Sequence, residues 1–219
     1  MTSTKQTIGI IGSGNIGGAL ARAFTRAGHR VVIANSRGPA SLGALVSELG
    51  ELASAGTVEQ AAQASDLVVV TIPLKAVASI PSDLLAGRVV IDTNNYYPVR
   101  DGHIAELDNE VLTTSEYVAR HFAGATVVKA FNHIPALHIA EHAQSVGTPG
   151  RRALMVYGED AAAVERVEAL IGEIGFDAVN GGGLAESWRI QRDTPGYGPR
   201  FGASELAEKL SAARRYRDM

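Results

Sequence analysis

Residues 7–35, TIGIIGSGNIGGALARAFTRAGHRVVIAN, decide how the chain folds. An apolar run, Ile8–Ile11, meets Gly12-Ser13-Gly14-Asn15-Ile16-Gly17. A helical pattern then runs to Ala27, and a second apolar run, Val31–Ala34, closes the unit. This is G-x-G-x-x-G placed after a strand and at the start of a helix, inside a βαβ unit of about thirty residues. In that setting the pattern signals a bound dinucleotide. Gly12 permits the tight turn out of the strand, Gly14 lets the backbone approach a pyrophosphate, and Gly17 lets the helix lie against the sheet. A helix beginning near Asn15 presents unpaired N–H groups and a partial positive charge where the phosphates would sit.

The end of the second strand selects the dinucleotide. An NAD site places Asp or Glu about 20 residues on, to hold the ribose 2′-hydroxyl. Here the strand runs into Asn35-Ser36-Arg37-Gly38, and the next carboxylate is Glu48. A hydroxyl and a guanidinium suit a 2′-phosphate, which accepts charge-assisted and bidentate hydrogen bonds. The plain alternative is a polar turn before Pro39.

The 219 residues fit one medium domain, or a domain with a small appendage. Apolar residues are 46% of the chain, enough for a large core, and this excludes a mainly disordered chain. The net charge of −3 gives no basic footprint for nucleic acid. There is no cysteine, so disulfides, zinc–thiolate sites, iron–sulfur clusters and thiol nucleophiles are excluded, and the default compartment is the cytoplasm. Met1–Gln6 is a short polar lead without the apolar stretch of a signal peptide, and no run approaches the ~18 apolar residues of a membrane helix. A soluble, cytoplasmic protein is expected.

Further along, Pro39–Leu49 reads as a helix stopped by Gly50. A weak strand covers Leu52–Ala55, and Thr57 caps a small helix to Ala64. Leu67–Ile72 and Arg88–Thr93 are continuous apolar runs of the kind buried on both faces of a sheet. They deliver Ile72-Pro73 and Asn94-Asn95-Tyr96-Tyr97 to the carboxyl rim, where doubly wound folds bind ligands. Carboxamides there can orient a ribose or a nicotinamide amide. Asp92 reads as a buried, hydrogen-bonded carboxylate rather than a catalytic one. Leu74–Leu85 is expected to be helical with a break at Pro81, and Val99–Asn109 a charged surface loop.

A helix from Thr114 or Ser115 to His121 leads to a strand, Thr126–Ala130, which carries Phe131-Asn132-His133 to the same rim. His133, His138 and His142 cluster, but Glu141 alone does not complete a metal set, so a partly exposed helix face is the expectation and no metal is assigned. Strand Ala153–Tyr157, helix Asp160–Ile174 and strand Phe176–Asn180 complete an alternation that predicts an α/β fold. Its architecture would be a Rossmann-type, doubly wound, mostly parallel sheet over residues 1–180. Residues 181–219 form a small C-terminal helical segment. It is interrupted at Pro195-Gly196 and Pro199 and carries the single tryptophan, Trp188. Over Arg189–Met219 seven basic residues face four acidic ones, a net +3. This suggests an anionic ligand or a partner surface, or else a solvated helix and tail.

Read together, Ile10-Ile11-Gly12-Ser13-Gly14-Asn15-Ile16-Gly17, Asn35-Ser36-Arg37, Thr71-Ile72-Pro73, Val127-Val128-Lys129-Ala130-Phe131-Asn132 and Leu184–Trp188 resemble the coenzyme F420-dependent NADP oxidoreductases. The cytoplasmic reductase domain of the STEAP metalloreductases is similar. The resemblance implies NADP(H) along the rim and direct hydride transfer to a deazaflavin. It implies an acceptor cleft between the Rossmann domain and the C-terminal segment, and a homodimer. Carried over, Ser13, Asn15 and Ile16 would hold the pyrophosphate and Ser36 with Arg37 the 2′-phosphate. Ile72 and Pro73 would pack on the nucleotide, with Asn95 and Ala130 nearer the nicotinamide.

Three functions compete. The first is hydride exchange between NADP(H) and coenzyme F420 or a flavin-like acceptor. In this case the cofactors do the chemistry, no side chain serves as catalytic acid or base, and the acceptor is walled by Gly181–Gly198. The second is reduction of a small carbonyl or imine, which needs a proton donor, with Lys129 and His133 the rim candidates. The third is a non-catalytic NADPH-binding sensor or partner subunit. The nucleotide choice is directly testable. Hydrogen bonds to charged groups contribute about 1.5–3 kcal/mol each, so Arg37→Ala should weaken NADPH roughly tenfold and barely change NADH. Equal wild-type affinities for the two nucleotides would refute the 2′-phosphate reading.

Overall fold

The computed structural model describes residues 5–215. Residues 1–4 of the polar lead, and Arg217 and Asp218 of the basic tail, lie outside them.

The expected βαβ unit is present as β1 (Thr7–Ile11), α1 (Asn15–Arg26) and β2 (Arg30–Ala34). Gly12 leaves β1 at φ 118°, a conformation open mainly to glycine. At Gly17 a Cβ would stand 2.0 Å from the Gly12 carbonyl oxygen, so α1 reaches its distance from the turn only without a side chain there. From that start α1 buries Leu20, Ala21, Ala23 and Phe24 against the sheet.

Among the described residues the sheet has eight strands. Those still to be given are β3 (Ala53–Ala55), β4 (Leu67–Val70), β5 (Val89–Asp92), β6 (Thr126–Lys129), β7 (Ala153–Gly158) and β8 (Asp177–Asn180), in the order β3-β2-β1-β4-β5-β6-β7-β8. The first six run parallel. Their side chains alternate between two cores. Ile8, Ile10, Val69, Ile91 and Val128 face one, covered by α1, α7 (Ala136–Glu141) and α8 (Ala161–Glu173). Ile11, Val68, Val70, Val90 and Val127 face the other. That second core also takes Leu184, Ile190 and Leu206, so the C-terminal segment packs onto the sheet itself. Among the described residues no helix is long and apolar enough to cross a membrane.

Four local details refine or correct the expectations. First, within the expected mostly parallel sheet β7 is antiparallel to β6. The connection, residues 130–152, carries one six-residue helix, α7, which spans about 9 Å. The chain stays at the rim through this connection, and β7 starts there and runs back down. Second, Leu74–Leu85 is not a helix. It makes 3-10 turns over Leu74–Ser79 and then loops, because prolines at 73 and 81 bracket too short a stretch. Third, Val99–Asn109 contains two short helices, α4 (Pro98–Asp101) and α5 (Ala105–Asp108). Fourth, Pro39–Leu49 begins as a 3-10 turn before α2 (Gly43–Leu49). Thr57 caps α3 (Val58–Gln63) as expected, in a capping box with Gln60. An equivalent Thr113–Glu116 box starts α6 (Thr114–His121).

The Gly17 contact gives a stability test. Gly17→Ala should cost about 3 kcal/mol in urea unfolding, since overpacking against backbone cannot relax by a rotamer change. A variant as stable as wild type would show that α1 can shift without cost.

Candidate nucleotide and acceptor cleft

The carboxyl ends of the parallel strands open into two adjoining hollows that share Gly14, Thr71, Ile72 and Pro73. One extends over Gly12, Ser13, Asn35, Ser36 and Arg37. The other extends past Asn94 and Asn95 to Phe131–Ala136 and Tyr197–Gly198. Together they form one groove along the rim. Asn15 and Ile16 lie on its floor. Helix α1 has no side-chain cap and no acidic residue in its first turn, so its N-terminal N–H groups and positive end remain for an anion. A Cβ at Gly14 would meet nothing within 4 Å, which leaves the open space a pyrophosphate needs.

At the β2 end, the Asn35 carboxamide braces the loop. Its Nδ2 donates to Ser13 Oγ at 3.0 Å and to Ser41 Oγ at 3.0 Å, and its Oδ1 accepts the Arg37 N–H at 2.9 Å. Asn35 is thus a strut that ties the pyrophosphate turn to the Ser36-Arg37 loop. Ser36 and Arg37 themselves are exposed.

The structure brings together Gly12, Ser13, Gly14, Asn15, Ile16, Asn35, Ser36, Arg37, Ile72, Pro73 and Asn95 along the groove. Ala130 differs. It is fully buried in the core, with its N–H donated to the Asp92 carbonyl at 3.1 Å, and only the residues after it reach the groove. The next residue, Phe131, is buried at φ 60°, a rare backbone state for a bulky side chain and one that recurs at functional sites.

Beneath this end lies a buried ion pair. Lys129 Nζ donates to Asp92 Oδ2 at 3.0 Å and also to the Asn94 carbonyl. Ser115 Oγ donates to the same carboxylate oxygen at 2.8 Å, and the Asn94 N–H donates to Asp92 Oδ1 at 2.8 Å. Asp92 is therefore the hydrogen-bonded structural carboxylate the sequence suggested. Burial pulls the Lys129 ammonium below the ordinary lysine value, and the Asp92 charge opposes that shift. Lys129 lies under the groove and is held there.

His133 does line the groove, but it is buried, and its Nε2 accepts the Met155 N–H at 3.0 Å. Burial and the Arg152 charge push its pKa down to about 3, so it is neutral at neutral pH. The expectation of one partly exposed helix face fits only His138 and His142. Their rings stack at 4.1 Å, and the Nδ1 atoms accept from Arg152 Nη1 at 3.1 and 3.0 Å. The ligating atoms of His138, Glu141 and His142 lie within 4.8 Å of one another. A guanidinium can only donate, so Arg152 already occupies the imidazole lone pairs a cation would need.

The acceptor wall also differs from expectation. Strand β8 runs opposite to β1–β6, so Gly181–Gly183 follows a strand that heads away from the rim. Gly181 packs against the Tyr157 ring, where a Cβ would stand 2.1 Å from a ring carbon. Trp188 lines a separate, smaller hollow with Tyr96, Leu107, Thr113 and Arg215. Only Tyr197 and Gly198 of the 181–198 stretch reach the groove. Arg152 Nη2 fixes them by donating to the Gly198 and Pro199 carbonyls. Tyr197 Oη lies 2.6 Å from Tyr97 Oη and 3.4 Å from Asn95 Nδ2, with Arg100 4.7 Å from the Tyr97 ring centre. Sequence reasoning missed this hydroxyl pair because nothing local announces that residues 100 positions apart will meet.

The ion pair is directly testable. Lys129→Met leaves Asp92 buried without its counter-charge and should cost about 3 kcal/mol in urea unfolding. Adding Asp92→Asn should recover part of that loss. An unchanged single variant would show the pair to be idle.

The comparisons agree with this geometry. The sequence profile of the family described as NADP oxidoreductase, coenzyme F420-dependent, matches residues 7–96. The rat metalloreductase STEAP3 is 27% identical over 186 residues, covering 84% of this chain and 35% of that protein. The chain spans about a third of the length of the curated relatives it matches. A hypothetical protein of Sinorhizobium meliloti is 35% identical in its crystal structure, with a TM-score of 0.72 over 88% of this chain and 91% of that one. A candidate F420-dependent NADP-reductase from Arthrobacter shares the fold at 23% identity, with a TM-score of 0.68 over 84% of this chain and 87% of that one. The glycine turn, the Ser36-Arg37 loop and part of the rim groove thus sit in the stretch, residues 7–96, that matches the coenzyme F420-dependent NADP oxidoreductase family.

Proposed function

We propose that the protein is an NADP-dependent oxidoreductase that passes hydride between NADP(H) and coenzyme F420 or another flavin-like ring. The observation that carries this reading is the continuity of the groove. Gly14, Thr71, Ile72 and Pro73 line both halves, joining the Arg37 end to a roomy end beside Asn94, Asn95 and Tyr197. Ser36 and Arg37 would take the 2′-phosphate, and the N-terminus of α1 with Gly14, Asn15 and Ile16 the pyrophosphate. Ile72 and Pro73 would pack on the nucleotide. When bound, NADP(H) supplies the hydride. The protein binds it, orients it and keeps its face against the second ring.

The side chains support ring-to-ring transfer. His133 is neutral and its Nε2 lone pair is engaged, and Lys129 is held under the groove by Asp92. One observation favours a second reading, reduction of a carbonyl or imine. In the Tyr97–Tyr197 pair, Tyr197 Oη can accept from Tyr97 and Asn95 and so has its own proton free to give. Burial raises the Tyr197 pKa above the ordinary phenol value, which keeps that proton in place.

Nicotinamide absorbance on mixing protein and NADPH with F420, with FMN, or with a cyclic imine separates these readings. Oxidation of NADPH by the ring acceptors, unchanged within about threefold by Tyr197→Phe, is expected. General-acid catalysis is worth about 10²–10⁴-fold. Turnover confined to the imine and lowered that much by Tyr197→Phe would establish the second reading instead. NADPH binding with no turnover of any acceptor would indicate a sensor.

A further inference from the structure

Asn94 is 3% exposed and lines the groove. Neither its amide nitrogen nor its amide oxygen has a hydrogen-bond partner among the described residues. Buried polar side chains are nearly always paired, because an unpaired one forfeits its hydration without return. The backbone of the same residue is held at both ends, its N–H by Asp92 and its carbonyl by Lys129. The fold thus fixes the peptide on each side of an amide that it does not itself use.

We propose that Asn94 receives the nicotinamide end of NADP(H), its Oδ1 accepting from and its Nδ2 donating to the nicotinamide carboxamide. This deepens the NADP(H) reading above and rests on it. Position points to that end of the nucleotide. In the order β2-β1-β4-β5, Arg37 follows β2, the glycine turn follows β1 and Asn94 follows β5, three strands or about 14 Å across from Arg37. Chemistry points the same way. A carboxamide with a free donor and a free acceptor is complementary to a second carboxamide through two parallel hydrogen bonds. Asn95, the residue the family resemblance selects, is already spent. Its Nδ2 donates to the Asn132 carbonyl at 2.8 Å and its Oδ1 accepts from Asn132 Nδ2 at 3.1 Å. Asn95 braces the loop, and the Asn94 amide is left unpartnered beside the groove.

A ribose hydroxyl of the same nucleotide also pairs a donor with an acceptor, so the experiment separates the two. Calorimetric titrations of the full chain would use NADPH, 2′,5′-ADP, which lacks the nicotinamide half, and reduced 3-acetylpyridine-NADP, which keeps the ribose but replaces the amide. Asn94→Ala should weaken NADPH about tenfold or more and leave 2′,5′-ADP unchanged. Wild type should bind the acetylpyridine analogue, which keeps the carbonyl acceptor but loses the amide donor, more weakly than NADPH, and Asn94→Ala should lower that affinity by less than it lowers the affinity for NADPH. Because the amide bonds to nothing among the described residues, ligand-free Asn94→Ala should melt at or above the wild-type temperature. Unchanged NADPH affinity, parallel loss of 2′,5′-ADP, or a lowered ligand-free melting temperature would overturn the assignment. Equal weakening of NADPH and the acetylpyridine analogue would overturn it in favour of the ribose. If wild type bound neither NADPH nor 2′,5′-ADP, the NADP(H) reading itself would fall, and this proposal with it.

Discussion

The rim at β5 and β6 depends on one buried ion pair. Asp92 and Lys129 stand opposite each other at the ends of neighbouring parallel strands, and both are withdrawn from water. Such a pair is tolerable only when its remaining hydrogen-bonding capacity is filled. Here Ser115, the Asn94 N–H and the Asn94 carbonyl fill it. The pair thereby holds the peptide groups on either side of Asn94 and links the β5 loop to α6. A hydrophobic pair of the same size could join the strands, but it could not hold a peptide group by both its donor and its acceptor.

A second polar clamp works at the other wall. Arg152, fully buried just before β7, bonds His138 of α7 and His142 at its end with one guanidinium nitrogen and the Gly198 and Pro199 carbonyls with another. Its pKa is pushed down to about 10 by burial and the nearby Arg200, which still leaves it charged at neutral pH. This fixes the turn that places Tyr197 beside Tyr97 and Asn95. The antiparallel entry of β7 makes the clamp available, because it starts that strand at the rim, next to α7, instead of at the far edge of the sheet.

Between the clamps the chain passes through Phe131 in a left-handed conformation, its ring edge-on to Phe24 of α1 at 6.5 Å. The packing of a large ring in the core offsets the backbone cost, and the turn sends Asn132 and His133 along the groove. Asn132 then donates to Asn95 Oδ1 and to the Ile190 carbonyl, so the β5 loop, the β6 loop and the C-terminal segment meet in one network.

What the sequence determined by itself was carried by short-range pattern. The βαβ unit, the roles of Gly12 and Gly17, the Ser36-Arg37 loop, the apolar strands and the Thr57 cap follow from local sterics and from alternation over a few residues. So does the reading of Asp92 as a buried carboxylate, since it ends a strand that is apolar on both faces. Tertiary structure decided what depends on direction and long-range meeting. The direction of β7 was set by a connection that stays at the rim, and it moved the glycine run off the rim. The pairing of Tyr97 with Tyr197 and of Arg152 with Gly198 depends on where a proline-broken tail returns. The division of labour between Asn94 and Asn95 was invisible in a run of two identical residues. Only the fold shows which amide is already hydrogen-bonded and which is buried with its partners missing.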